Sequence, residues 1–244
     1  MFQKLRKSKK LLLVAMACAT FAIAGCGSDT TKNAADNGNA VTWSETFDGT
    51  KTDFAVKSSP THAVSMSQAT TEMMLQLGLE DKMAGTAFKE EEIYPPLQAA
   101  YDKVKVLSDK WPSYEVFMSV KPDFATGWPD SFSKRAIPAD KMIAQKVNIW
   151  LPESMLSTKA DLETNFNDMI KLGEIFGVKS KAEEWVAGQR KTLAAIQDKL
   201  KDLPRKRVFI YDSEDGQPFT AFEGYTTNIL KLIGADNVMS GLGL

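Results

Sequence analysis

The longest helical pattern in the chain lies at residues 157–204, where apolar side chains recur every three to four positions. The apolar residues within 160–176 fall on one face of a predicted helix. Gly177 is placed to end that helix in a left-handed conformation. Ser180 and Glu183 have the spacing of a capping box, which predicts that a second helix starts there and continues to residue 204. Its length, about 33 Å at roughly 1.5 Å per residue, favours a rigid connection between two lobes. The alternative is a helix packed on a single sheet.

Short strands alternate with helices before this segment, and the same pattern begins again after it. The predicted strands are 62–67, 83–88, 104–107, 124–128 and 146–151, then 207–211 after the long helix. Alternation of this kind predicts mostly parallel sheets. We therefore expect an α/β protein with two parallel-sheet lobes joined by a long α-helix. Only about 40 residues follow residue 204, so the second lobe is expected to be incomplete and the sequence to be a C-terminally truncated fragment.

The expected organisation has five parts. They are a signal peptide at 1–25, a lipidated cysteine and flexible tether at 26–56, an N-terminal α/β lobe at 57–156, the inter-lobe helical segment at 157–204, and the start of a C-terminal α/β lobe at 205–244. The signal peptide is predicted from five basic residues within residues 1–10, followed by an uncharged apolar run. The tether rests on residues 27–40, which are almost all small or polar.

The end of the signal peptide resembles the lipobox of bacterial lipoproteins, in which the cysteine becomes the lipidated first residue. The matching residues are Ile23-Ala24-Gly25-Cys26, and Cys18 is the competing candidate. Cleavage before Cys26 removes five of 30 basic residues and leaves 25 against 31 acidic ones, a net charge of −6. We expect attachment to the outer face of the cell membrane through acyl chains. The charge gives no indication of nucleic-acid binding.

The sequence contains little that suggests catalysis or direct metal binding. His62 is the single histidine, whereas a hydrolytic triad needs a base and a zinc site needs several converging ligands. Neither a Gly-x-Ser-x-Gly elbow nor a phosphate-binding loop is present. A carboxylate-dependent enzyme is the remaining catalytic alternative, and we expect no enzyme activity, no cofactor and no metal ligands.

Several stretches together resemble the binding domain of ABC-type importers of iron siderophores, haem and cobalamin. They are residues 63–78 with 81–85, Ser113-Tyr114-Glu115 followed by Lys121-Pro122-Asp123, residues 171–177, residues 207–212 and residues 234–238. The resemblance covers about residues 61–238. It implies two lobes, a rigid inter-lobe helix, a ligand held between the lobes, and delivery to a membrane permease with its ATPase. It also implies that Glu72 docks on the permease, whereas the matching acid of the second lobe falls near Asn228. We expect a monomer.

In parallel sheets ligands bind beyond the carboxyl ends of the strands. This rule selects loops 65–68, 86–89, 128–132 and 151–154, together with the start of the second lobe. The predicted ligand-binding residues are Ser67, Phe88, Trp128, Asp130, Pro152, Glu153, Asp212, Phe222 and Tyr225. Their aromatic faces suit an iron chelate, a porphyrin or a corrin. Phe132 is a further aromatic residue of these loops, and Lys89, Lys134 and Arg135 are expected to meet negative groups of the ligand. The alternative function is a surface scaffold lipoprotein without a small-molecule ligand.

Overall fold

The computed structural model describes residues 40–242 except Asp215 and Phe222. The strands are β1 (Val41–Phe47), β2 (Thr50–Val56), β3 (Ala63–Ser65), β4 (Met83–Ala87), β5 (Val106–Ser108), β6 (Phe124–Thr126), β7 (Asn148–Trp150), β8 (Lys206–Val208), β9 (Ser213–Glu214), β10 (Pro218–Phe219) and β11 (Ala235–Asn237). The helices are α1 (Gln68–Gln76), α2 (Gln98–Tyr101), α3 (Tyr114–Ser119), α4 (Ala139–Ala144), α5 (Leu162–Ile175), α6 (Lys179–Leu200) and α7 (Tyr225–Leu232). The predicted signal peptide and Cys26 lie outside the described residues.

A five-stranded sheet forms the centre of the N-terminal lobe. Its order is β5-β4-β3-β6-β7 and every neighbouring pair is parallel. One apolar cluster includes residues of α1, α5 and α6, and a second includes residues of α3 and α4. The alternation of strands and helices thus produces the predicted α/β fold, because each apolar strand is covered by helices.

The β1–β2 hairpin corrects the predicted tether. The expected boundary at residue 56 is wrong, since residues 41–56 form two antiparallel strands in continuous register. Asp48 and Gly49 have φ angles of 47° and 79°, as a two-residue hairpin turn requires. The hairpin lies against β7, where the Trp43 indole N–H donates to the Ile149 carbonyl at 2.8 Å. The side-chain packing of the hairpin is the physical reason that this stretch is ordered.

Helices α5 and α6 form the predicted helical segment, with one local difference. Gly177 between them has a φ of 69°, as expected for a residue that ends a helix. The predicted capping box at Ser180 is wrong, because α6 begins at residue 179 and its N-cap has no side-chain hydrogen bond. A capping box occurs instead at the start of α5, between Asp161 and Thr164. The two helices approach closely at Gly173, where a Cβ atom would lie 2.7 Å from Ala182 Cβ.

The second half of α6 leaves the N-terminal lobe and leads to a separate β-α-β unit. Buried residues of α6 are confined to its first half, at Ala182 and Val186. Strands β8 and β11 pair in parallel, and α7 packs beside them. The long helix therefore connects two parallel-sheet segments, as the sequence predicts, although its first half also packs on the first sheet. No helix in the described part of the chain has the length and apolar character needed to cross a membrane.

Candidate functional site

The central sheet has a change of direction in its strand order between β3 and β6. The chain moves outward from β3 through β4 to β5, then returns to β6 on the other side. Such a point leaves a crevice at the carboxyl ends of the strands. The backbone is tightly packed there, since a Cβ atom on Gly127 would lie 3.0 Å from Met66 Cβ. Met66 O accepts hydrogen bonds from Trp111 Nε1 at 3.1 Å and Ser131 Oγ at 3.2 Å.

An open cavity of about 440 Å³ lies at this edge of the sheet. Its lining consists of Phe88, Glu90, Trp111, Trp128, Pro129 and Asp130. Phe88 stacks on Trp111 with ring centroids 4.7 Å apart and an angle of 18° between the planes. The Trp128 indole N–H points to Glu90 Oε2 at 3.4 Å. The structure thus brings together three predicted residues, Phe88, Trp128 and Asp130, in one aromatic cavity.

The backbone of Phe88 adopts an unusual conformation for its residue type. Its φ is 59°, in the left-handed region that a bulky residue rarely occupies. The ring is held on one side by Trp111 and lies 5.4 Å from Lys110 Nζ. Backbone strain of this kind costs of order 1–3 kcal/mol and is concentrated at functional sites. The conformation turns the chain away from β4 directly into the loop that carries Glu90.

Trp111 and Glu90 belong to the cavity but were missed by the sequence reasoning. Trp111 follows β5, so the rule that selected the other loops also applies to it. The predicted loops omitted the carboxyl end of β5. Glu90 lies one residue beyond the selected loop 86–89.

Other residues of this lobe that the sequence analysis placed near the ligand have different surroundings from the aromatic cavity. Ser67 is fully buried and caps α1 by accepting a hydrogen bond from Thr70 N at 3.2 Å. Phe132, which was grouped with the cleft aromatics, is 3% exposed and packs against Phe47 in the core. Arg135 pairs with Asp130 at 2.6 Å. Ser67 and Phe132 thus have structural roles, because their side chains are enclosed by protein.

The turn after β7, which carries Pro152 and Glu153, is held by two buried carboxylates. Asp168 accepts from the backbone N–H groups of Glu153 and Ser154, both at 2.9 Å, and Glu45 accepts from Leu151 N at 3.0 Å. Burial raises the pKa of Glu45 to about 7, opposed by the Leu151 hydrogen bond. Burial likewise raises the pKa of Asp168. This turn is not part of the aromatic cavity lining.

The second-lobe predictions fall at separate positions. Tyr225 begins α7, and burial, followed by the negative charges of Asp161 and Asp168, raises its pKa. Asp212 is exposed and accepts from Ser213 Oγ at 2.9 Å. Phe222 lies outside the described residues. Tyr225 is therefore associated electrostatically with the same carboxylate that holds the turn after β7.

Glu72, the predicted docking residue, is half-buried and hydrogen-bonded within its own lobe. Its Oε1 atom accepts from Gln68 Nε2 at 2.9 Å and from Tyr94 N at 3.1 Å. It lines a second cavity of about 640 Å³ between α1, α5 and α6, which also includes Trp185. Within residues 40–242, apart from the two undescribed positions, no group of three or more potential metal-ligating side chains is found.

Comparison with known proteins identifies relatives over most of the chain. The family described as periplasmic binding protein matches residues 64–242. An uncharacterized ABC transporter substrate-binding lipoprotein of Bacillus subtilis, YvrC, is 26% identical over 240 residues, which is 95% of this chain and 73% of that protein. A vitamin B12-binding protein of Vibrio vulnificus is 24% identical over 73% of this chain, and the match spans 61% of that protein's length.

Solved structures agree with the sequence relatives. A periplasmic binding protein from Veillonella parvula is 95% identical and superposes with a TM-score of 0.84 over 85% of this chain and 70% of that one. The fold also matches an ABC-type Fe3+-hydroxamate transport protein from Saccharomonospora viridis, with a TM-score of 0.61 at 19% identity over 81% of this chain and 70% of that chain. The sheet order, the long helix and the matched residues 64–242 lead to one conclusion. The chain belongs to the periplasmic binding protein family.

Proposed function

We propose that this chain is the substrate-binding component of an ABC importer that captures an iron siderophore, haem or cobalamin and delivers it to a membrane permease. The observation that carries the proposal is the aromatic cavity at the carboxyl edge of the sheet, with Phe88, Trp111 and Trp128 in its walls. Flat aromatic side chains bury a large ligand surface at little entropic cost. The relatives from Bacillus and Vibrio, an ABC transporter substrate-binding lipoprotein and a vitamin B12-binding protein, support this class of function.

The direct test is a tryptophan-fluorescence titration of the purified protein with a ferric hydroxamate, a ferric catecholate, haem and cobalamin. We expect saturable quenching by one class at micromolar or lower concentration. Trp128→Phe is expected to reduce the quenching amplitude, whereas Trp185→Phe, on α6 and outside this cavity, serves as the matched control. Absence of binding by a folded protein across the panel would contradict the proposal and favour the scaffold alternative.

The predicted contacts outside the aromatic cavity form a second part of the proposal. We infer that the turn with Pro152 and Glu153 contributes to the ligand site from the first lobe, with Ser67 acting through the backbone that it caps. Asp212, Phe222 and Tyr225 are proposed to contribute from the second lobe. Tyr225→Phe tests this part, since loss of a ligand contact lowers affinity by several-fold while α7 helicity is retained. An unchanged affinity would assign Tyr225 to packing alone.

Docking on the permease through Glu72 is a separate proposal. Because the Glu72 carboxylate already accepts two hydrogen bonds from its own lobe, Glu72→Gln is the informative variant. It keeps an acceptor oxygen and removes the charge. We expect slower ligand uptake by cells and unchanged affinity of the purified protein. Glu115, an exposed acid in the first turn of α3, is the comparison. If Glu115→Gln slows uptake and Glu72→Gln does not, the docking residue lies on α3.

Membrane attachment is proposed to occur through lipid on Cys26, at the outer face of the cell membrane. Metabolic labelling with a fatty-acid analogue should mark the protein in cells. Cys26→Ser is expected to abolish the label and release the protein from the membrane fraction, and Cys18→Ser is expected to leave both unchanged. The reverse result would place the lipid on Cys18.

A further inference from the structure

The walls of the aromatic cavity carry a distinct charge pattern. The carboxylates of Glu90 and Asp130 are part of its lining, and none of the described lining residues is cationic. Asp130 is neutralised by Arg135 at 2.6 Å. Within the described residues no ion pair involves Glu90, whose Oε2 faces the Trp128 indole N–H. Glu90 therefore supplies an uncompensated negative charge beside the aromatic surfaces.

The position of Glu90 is fixed by the side chain of Gln68 at the start of α1. Gln68 Oε1 accepts from the backbone N–H groups of Glu90 at 2.9 Å and Glu91 at 2.7 Å. Gln68 Nε2 donates to Glu92 O at 3.1 Å and to Glu72 Oε1 at 2.9 Å. Three of these hydrogen bonds anchor the loop after Phe88, and the fourth ties the same amide to Glu72 on α1. The charge of Glu90 is consequently held at the cavity by the helix.

We propose that Glu90 is a specificity-determining residue of the aromatic cavity, which selects a ligand with a flat face and a neutral or positively charged metal complex over a strongly anionic one. This inference rests on the proposed function of the cavity and names the class of ligand. A carboxylate close to a bound charge attracts a cation and repels an anion. The faces of Trp111 and Trp128 act in the same direction, because the negative face of an aromatic ring favours cations.

Lys110 and Arg135 do not reverse this preference. Lys110 Nζ lies 5.4 Å from the centre of the Phe88 ring, and Arg135 is paired with Asp130. Neither side chain is part of the cavity lining. A strongly anionic ferric catecholate would therefore meet Glu90 without a free cation on the cavity wall.

The experiment compares two ligands that share one corrin ring and differ in charge. Aquocobalamin is cationic and cyanocobalamin is neutral, and a cationic ferric hydroxamate and an anionic ferric catecholate extend the comparison. We expect the wild-type protein to favour the cationic member of each pair. In Glu90→Gln the preference for aquocobalamin over cyanocobalamin should fall by roughly threefold to tenfold, the range set by a single charge in a partly solvated site. Tighter binding of the ferric catecholate than of the cationic hydroxamate would overturn the inference.

Glu91→Gln provides the matched control, since it removes the same charge from the next residue, whose side chain is not part of the lining. The charge preference of this variant should change by less than about twofold. If the Glu90 and Glu91 variants change the charge preference equally, the preference comes from the electric field of the whole loop and not from the position of Glu90. A ligand that binds without any charge preference would refute the inference and leave the proposed function intact. No binding by any ligand would refute both.

Gln68→Ala tests how Glu90 is positioned, because it removes the acceptor for two backbone amides. Hydrogen exchange at Glu90 and Glu91 should become faster, and the charge preference should weaken as in Glu90→Gln. Unchanged exchange in Gln68→Ala would refute the anchoring role without requiring any ligand.

Discussion

Replacement of Glu45 by glutamine should make the protein more stable at alkaline pH. Glu45 is 7% exposed, and burial raises its pKa from 4.5 to about 7. The folded state therefore holds the proton more tightly than the unfolded state. The stability associated with this group is greatest below about pH 4.5, falls as the pH rises towards about 7, and is constant above that value. Glutamine keeps the oxygen that accepts from Leu151 N and carries no charge.

The magnitude follows from the two pKa values. Their difference, about 7 minus 4.5, sets an upper limit of about 3 kcal/mol at roughly 1.36 kcal/mol per pKa unit. Local relaxation and water reduce the expected gain to about 1–2 kcal/mol at pH 8, with a much smaller gain at pH 5. Urea unfolding at both pH values measures it, and the exposed Glu184→Gln is the control. Equal gains at pH 5 and pH 8, or a loss at pH 8, would refute the electrostatic reasoning.

Three further substitutions test packing and hydrogen bonding. Asp168→Asn should lower stability by about 1–3 kcal/mol, because one of the two backbone N–H groups that donate to this carboxylate loses its acceptor. Urea unfolding measures this, and an unchanged midpoint would contradict it. Gly173→Ala should lower the free energy of unfolding by about 1–3 kcal/mol, since the new methyl group would collide with Ala182. Thermal unfolding measures this, and a rise in melting temperature would show that α5 and α6 can move apart without loss of stability. Ser67→Ala should cost about 1–2 kcal/mol through loss of the cap on α1, and thermal unfolding that matches wild type would exclude the capping role.

The sequence allowed the alternation of strands and helices to be predicted because the buried strands are apolar and the breaks between them are marked. Gly177 adopts a positive φ at the end of α5, as its position indicated. The hairpin at 41–56 was missed, although Asp48-Gly49 between two alternating stretches is a hairpin signal. The tether was extended to residue 56 on the composition of residues 27–40 alone. Local composition therefore outweighed periodicity in that prediction.

Part of the candidate site could be predicted from the positions of the strand ends. Phe88 and Trp128 follow directly from the position of strand ends, because topology places those ends together. The role of Ser67 as the N-cap of α1 was not predicted, because it depends on where α1 begins. The anchoring of Glu90 by Gln68 spans 22 residues along the chain. Nothing in either local sequence indicates that contact.

The hairpin has a consequence for association between molecules. β7 is an edge strand of the central sheet, and an exposed edge offers unpaired backbone groups to the strands of other chains. Here the Ile149 carbonyl is occupied by the Trp43 indole, and the Leu151 N–H by the Glu45 carboxylate. Side chains of the hairpin thus satisfy these two backbone groups without extending the sheet. The β1–β2 hairpin therefore shields this edge of the sheet from strand addition, a protection that the neighbouring strand β6 obtains from β7 itself.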